Sequence, residues 1–425
     1  MKQPPIVITG TGAVCAAGDT PSAIFGAVNA GASLIGPIRG WDATGWPCSQ
    51  AAEMPSFNAR ALVDDRKLHK FIRRTDFFGI YAGDRAVAEA GLVAHRETLS
   101  PEAAAEFSDR TGVYVGSGGG AFENQYDYFP LMTEAGADLG RFGAELGNVV
   151  NPMWLLRTLP NNVLCHVGIR NDLKGANACI TNHSCGGALA VIEAMEGLRN
   201  GEADRAVAIG HDTPIEPQNV LYYSQCGLLA REAIRPFDAK RDGSLFGEGA
   251  AALALETAAA AEARGATVIG EVLGGGHAAE AAGLLTIRED GDGVERAVRA
   301  ALADAQVSPD DIGMIVGHGN GTRLSDASEA AALTRIFGDR MPPATAFKWS
   351  FGHLIAAAGI LEMVIALQAL RAGVVPGIAT LRDPDPACAG MRLSSQAQKP
   401  RGDIALIVCR GFAATDSALI VRARR

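Results

Sequence analysis

Short apolar runs ending in small residues alternate with alanine-rich helical stretches along the whole chain. That alternation restricts the fold more than any other feature. The runs are "PIVITGTG" (5–12), "TGVYVGSGGG" (111–120), "RAVAIGHD" (205–212), "MIVGHGNGT" (314–322) and "IALIVCRGF" (404–412). Near-continuous apolar runs of this length predict strands buried on both faces. Helical patterns cover 76–91, 187–200, 258–264, 292–305, 325–337 and 354–372. The two together predict a layered α/β architecture, with its chemistry at the glycine-rich strand ends. No linker separates independent domains. A softer seam at 256–270, "ETAAAAEARGATVIG", divides the chain into two fused α/β halves, 1–255 and 256–425. No sequence-level repeat is convincing.

With 425 residues, 48% of them hydrophobic, the chain can bury a large core. A net charge of -9 argues against a broad nucleic-acid footprint. Eight cysteines stand at 15, 48, 165, 179, 185, 226, 388 and 409, none at CxxC spacing, so no zinc or other metal site is expected. Their scatter fits buried thiols in a reducing compartment. The start, "MKQPPIVITG", lacks the apolar run of a signal peptide. Leu354 to Leu370 is apolar but short and carries Glu362 in the middle, so it reads as a buried core helix. A cytoplasmic protein without membrane insertion is expected. The glycines of "TGTGAVCAAG" (9–18) and "GSGGG" (116–120) fit neither a dinucleotide fingerprint nor a phosphate loop, and read as tight turns.

The stretch "ITNHSCGGALAVIEAM" (180–195) puts a hydroxyl and a thiol side by side, after "ACIT", which looks like a strand end, and before an amphipathic helix. Ser184 then sits at a strand-to-helix turn. The helix N-terminus there favours an anion and suits a nucleophile or a developing oxyanion. On this stretch alone, a helix N-cap is the simpler reading. "NHSCG" also nearly matches the hydrolase elbow GxSxG, with Asn182 where the first glycine belongs. Two further segments shift the balance. "VGHGNGTRLSDASEAAAL" (316–333) places His318 at a strand end, and "FKWSFGHLIAAAG" (347–359) places Lys348 five residues before His353. Two histidines and a lysine at glycine-flanked junctions look like a convergent polar site.

These segments resemble the β-ketoacyl-acyl-carrier-protein synthases, the elongating ketosynthases of the thiolase-like superfamily. The likeness runs almost end to end. It includes "VITGTGAV", "RRTDFFGIYAGDRAVAEAGL" (73–92), "RPFDAKRDGSLFGEGAAALALE" (235–256), "HGNGTRLSDASE" (318–329) and "KWSFGHLIAAAG" (348–359). The resemblance implies a thiolase-like fold of two fused α/β halves in a layered αβαβα arrangement. The N-terminal half would carry the nucleophile turn and the C-terminal half the two histidines. His318 and His353 would be the active-site histidines with Lys348 beside them, and Thr322, Asp326 and Glu329 would order the loop. Two imidazole N–H donors can hold a malonyl thioester oxygen as carbon dioxide leaves. A covalent acyl-enzyme separates loading from carbon–carbon bond formation.

Two departures stand out. The family nucleophile is a cysteine, and registering on Gly187 puts Ser184 in its place. Cys185 is the alternative nucleophile, at the cost of a one-residue shift. A helix N-terminus can turn a thiol into a thiolate, whereas a serine needs a general base, for which His318 or His353 is the candidate. Near the C-terminus, Arg410, Gly411 and Phe412 form the gate and oxyanion loop, with Arg410 in the place read as the family's gating phenylalanine. The Arg410 N–H could complete an oxyanion hole with that of Ser184. Its guanidinium could bind a substrate carboxylate or phosphate, or pair structurally. Asn320, Ala413 and Ala414 are further changes.

The expected function is acyl transfer or condensation on Ser184 in a fatty acid or polyketide pathway. Two alternatives stay open: a malonyl decarboxylase or non-condensing chain-length-factor-like partner, and a serine-dependent thioesterase or ester-forming acyltransferase. The resemblance implies acyl carrier protein as partner, a homodimer or a heterodimer with a paralogue, and no cofactor.

Overall fold

The computed structural model describes residues 4–119, 125–412 and 415–424. Its strands are β1 (Ile6–Cys15), the short pair β2 (Gly36–Pro37) and β3 (Gln50–Ala51), β4 (Thr111–Ser117), β5 (Asn177–Ile180), β6 (Arg205–Asp212), β7 (Gly249–Thr257), β8 (Gly270–Ala279), β9 (Met314–Val316), β10 (Ala344–Thr345), β11 (Ile404–Gly411) and β12 (Thr415–Ala423). Ten of them form one sheet in the order β10-β9-β11-β12-β8-β1-β7-β6-β4-β5. The order is the same pattern used twice. Ranked along the chain, β5-β4-β6-β7-β1 and β10-β9-β11-β12-β8 both run third, second, fourth, fifth, first. A repeat absent from the residues is thus present in the topology. The two sets join where Ile6–Ile8 of β1 pairs antiparallel with Gly270–Val272 of β8.

The helices Gly186–Arg199 and Ala358–Ala372 pack on each other and on strands of both sets. They form the central layer. The Arg74–Glu89 helix covers the outer face of β1, β6 and β7, and the Asp292–Ala305 helix covers β8 and β12. This gives the αβαβα layering of the thiolase-like fold. The Ala358–Ala372 helix, Glu362 included, is buried along nearly all of its length, as its place between the two strand sets requires.

The tight turn expected of the first glycine motif forms where Cys15 and Gly18 bond each other, but other glycines of both motifs lie inside strands. Gly10 and Gly12 lie inside β1, where a Cβ would come 2.3 Å from the Ala86 carbonyl oxygen and 2.0 Å from that of Ala82. They let the Arg74–Glu89 helix settle onto the strand. Gly116 lies inside β4, and its absent Cβ would sit 2.2 Å from the Gly186 carbonyl carbon. The first turn of the Gly186–Arg199 helix therefore presses directly on that strand. Gly120 lies outside the described residues.

Candidate active site

β5 ends at Ile180, and a 3-10 turn over His183–Cys185 leads into the Gly186–Arg199 helix. The glycine pair has a steric reason, since a Cβ on Gly187 would lie 2.6 Å from the Ala356 carbonyl oxygen. This close packing brings the Ser184 turn against the segment that carries His353. Ser184 Oγ lies 3.2 Å from His353 Nε2 and 3.0 Å from His183 Nδ1. Ser184, His318 and His353 line one narrow cavity of about 70 Å³ together with Phe246, Leu285 and Phe412. Cys185 points elsewhere. Its Sγ lies 3.2 Å from the Thr415 carbonyl oxygen, in the core between the central helix and β12. Of the two side chains in question, the one facing the cavity is Ser184.

The two histidines are held in a defined tautomer. The Ile355 N–H donates to His353 Nδ1 at 3.2 Å, and the Arg410 N–H donates to His318 Nδ1 at 3.3 Å. A ring nitrogen that accepts carries no hydrogen, so the proton of each neutral imidazole is on Nε2. Burial, then the charge of Lys348, holds both rings well below the usual histidine range, so they stay neutral. The rings sit edge to face, with centroids 5.3 Å apart. His353 Nε2 therefore donates to Ser184 Oγ rather than accepting its proton. The expectation that His353 or His318 serves as its base does not fit these tautomers, because the Nε2 of each ring carries the hydrogen, and in His353 it is Nε2 that faces Ser184.

Lys348 does not line the cavity, which corrects its expected catalytic place. Its Nζ donates to the His318 carbonyl at 2.7 Å and to Glu362 Oε1 at 2.6 Å, and both side chains are fully buried. Burial pushes Glu362 up to about 7 despite the ammonium beside it. Lys348 positions the His318 loop from behind. Glu329 completes that support by accepting from the His318 and Gly319 N–H groups at 2.7 and 3.1 Å. Asp326 accepts from the N–H groups of Phe237 and Gly321. The Thr322 N–H and hydroxyl both donate to Asn320 Oδ1. Lys348, Glu329 and Asp326 order the loop from outside the cavity, and Thr322 lies on its wall.

Of the readings left open for the Arg410 side chain, the structure has the structural pairing. Its guanidinium turns away from Ser184 to pair with Asp416 at 2.7 Å and Glu280 at 3.2 Å, and it is almost wholly buried. It is a structural ion pair, not a receptor for a substrate anion. Its N–H is committed to His318, so it is not an oxyanion-hole donor. The ring that lies over the Ser184 turn belongs to Phe412, stacked on His183 at 4.1 Å between centroids. Ala413 and Ala414 lie outside the described residues.

Sequence reasoning missed His183, Tyr223 and the orientation of Phe412. His183 adopts a φ of +39°, in the left-handed region uncommon for a non-glycine residue. That twist turns its ring back onto the Ser184 side chain. His183 Nε2 bonds the Tyr223 hydroxyl. Burial lowers His183 to about 4 and raises the Tyr223 phenol. His183, Tyr223 and Phe412 also line a second cavity of about 530 Å³ with Arg73, Asp212 and Thr213 on its wall. The only signal for His183 was its adjacency to the serine.

Two family profiles cover most of the chain: the β-ketoacyl synthase N-terminal domain matches residues 3–261, and the C-terminal domain matches residues 269–382. The chain is 31% identical over 389 residues to nodulation protein E of Rhizobium meliloti strain 1021, covering 90% of each. It is 29% identical over 433 residues to 3-oxoacyl-[acyl-carrier-protein] synthase 2 of Coxiella burnetii, covering 99% of each. Among solved structures, the ishigamide ketosynthase/chain length factor superposes with a TM-score of 0.86 at 26% identity over the full length of both chains. The fold and these matches define a ketosynthase-like protein of the fatty acid or polyketide class. This chain belongs to the β-ketoacyl synthase family.

Proposed function

We propose that this chain is a β-ketoacyl synthase-like acyltransferase that is acylated on Ser184 and uses His318 and His353 on a malonyl group. One observation carries the reading: a serine hydroxyl and two imidazoles whose Nε2 atoms carry their hydrogens line the same cavity. Ser184 Oγ attacks an acyl thioester delivered by acyl carrier protein, and the thiol of the phosphopantetheine arm leaves. A malonyl thioester then enters. Its carbon–carboxylate bond breaks, carbon dioxide leaves, and the electron pair becomes an enolate held by two N–H donors. The enolate carbon attacks the acyl carbonyl, and Ser184 Oγ departs and takes a proton from solvent, its own having left with the thiol. An oxygen ester is a weaker acyl donor than a thioester, so condensation is slow or gives way to transfer.

A second reading, decarboxylation without condensation, is favoured by the chemistry of carbon dioxide release, which uses the two histidine donors and does not need Ser184 as a nucleophile. The carrier protein and a second ketosynthase copy or paralogue are the proposed partners. β5 pairs only with β4 among the described residues, and Cys179 on it bonds the Pro160 carbonyl at 3.4 Å. The segment so tied exposes Leu155, Leu156 and Leu159. An open strand edge next to apolar side chains suits pairing with another chain.

The test is product analysis with acyl- and malonyl-carrier protein. A 3-oxoacyl carrier protein, or an acyl group moved to an acceptor, supports the first reading. Carbon dioxide alone, undiminished in Ser184→Ala, supports the second. Neither product would end both.

A further inference from the structure

We propose that His183, anchored by Tyr223, is the general base for Ser184. This assignment rests on the acylation of Ser184 proposed above. Ser184 Oγ sits between two rings of opposite polarity. His353 Nε2, whose Nδ1 accepts from the Ile355 N–H, offers it a hydrogen at 3.2 Å. His183 Nδ1 offers it a lone pair at 3.0 Å. The Phe412 N–H also points at that same Nδ1, at 3.4 Å, which marks it as the accepting nitrogen. Nε2 then carries the hydrogen and donates to the Tyr223 oxygen. Among the described residues, the acceptor that Ser184 Oγ meets is His183 Nδ1, and the hydroxyl shares it with the Phe412 N–H.

The ring is fixed for this task. It stacks on Phe412 with planes 13° apart and lies nearly parallel to Tyr223. The left-handed backbone at His183 is the kind of local strain that a working geometry retains. The arrangement follows the general logic of an activated nucleophile: hydroxyl, base, and a third group that orients the base.

The step balances without a co-reactant. The Ser184 Oγ–H bond breaks and its proton goes to His183 Nδ1. The Oγ–carbon bond forms as the carbonyl electron pair moves to oxygen. Collapse of that oxyanion expels the thioester sulfur, which takes the proton back from the imidazolium. Burial disfavours the imidazolium, so the proton rests on His183 only until the sulfur leaves and takes it.

The test is the rate of acyl-enzyme formation, read by intact mass, with acetyl-, hexanoyl- and decanoyl-acyl carrier protein. His183→Ala and His183→Asn should slow labelling of Ser184 by about 10²- to 10⁴-fold. Asparagine keeps an acceptor near the Nδ1 position but not its basicity, so loss in both variants reports proton transfer. In a Ser184→Cys background the same changes should cost less than about tenfold, because a thiol at a helix N-terminus ionises without a base. Tyr223→Phe should lower the acylation rate without changing the thioester concentration that half-saturates it. Equal losses in the serine and cysteine backgrounds would overturn the assignment and make His183 structural. A wild type unlabelled by all three thioesters would overturn the Ser184 acylation itself.

Discussion

His353 Nε2 faces Ser184 Oγ at 3.2 Å as a hydrogen donor, because the Ile355 N–H already occupies its Nδ1. His318 is oriented the same way by the Arg410 N–H. Removing either donor should slow carbon dioxide release from malonyl carrier protein by about 10²- to 10³-fold. His353→Ala and His318→Ala test this, and Gln at either site, whose amide can reach the Nε2 position, should recover part of the rate. Equal rates for Ala and Gln would show that hydrogen donation is not what the rings supply.

Lys348 and Glu362 form a fully buried pair behind the His318 loop. Lys348→Met leaves the carboxyl without its cation and should cost about 3–5 kcal/mol of stability. Lys348→Met with Glu362→Leu should recover most of it. Urea unfolding of the single and double variants measures both.

Arg410 holds Asp416 and Glu280 away from solvent. Arg410→Ala should lower stability by a similar amount, about 3–5 kcal/mol, by leaving two buried carboxyls behind. It should leave the preference between neutral and carboxylate-bearing acyl thioesters unchanged. A changed preference would place the guanidinium at the substrate after all.

His211 is fully buried on β6, with Nδ1 bonded to Thr75 Oγ1, and burial lowers it to about 3. Its folded value lies below the unfolded value near 6.5, so the unfolded chain binds the extra proton. Its contribution to stability is therefore whole above about pH 6.5 and falls as pH drops toward 3, by about 1.4 kcal/mol per pH unit. The stability difference between wild type and His211→Gln, measured by urea unfolding from pH 7.5 to 4.5, should shrink along that slope. A constant difference would mean that His211 takes up its proton while folded.

Much of the fold was legible where side chains announce their environment. The β-branched runs became β1, β4, β6, β9 and β11, and the helix expected over 292–305 is Asp292–Ala305. β7, "GAAALALET", and β8, "GEVLGGGHAA", were not read as strands, because alanine and glycine carry little strand preference. Their composition comes from packing. On β8, a Cβ at Gly274 or Gly276 would lie 2.4 Å from backbone atoms of the Asp292–Ala305 helix. The site divides the same way. His318, Asp326 and Glu329 lie on one loop and helix, so their spacing carried their grouping. Arg410 was ambiguous because its partner Glu280 is 130 residues away. His183 was invisible as a base because a single left-handed residue aims its ring, and its anchor Tyr223 lies 40 residues on.

The central claim is that Ser184 carries the acyl group. Its most direct test is intact-protein mass, with peptide mapping, after incubation of wild type, Ser184→Ala and Cys185→Ala with a panel of acyl carrier-protein thioesters. The account predicts one acyl adduct per chain in wild type and Cys185→Ala, mapped to residue 184, and none in Ser184→Ala. An adduct that persists in Ser184→Ala and disappears in Cys185→Ala would contradict it.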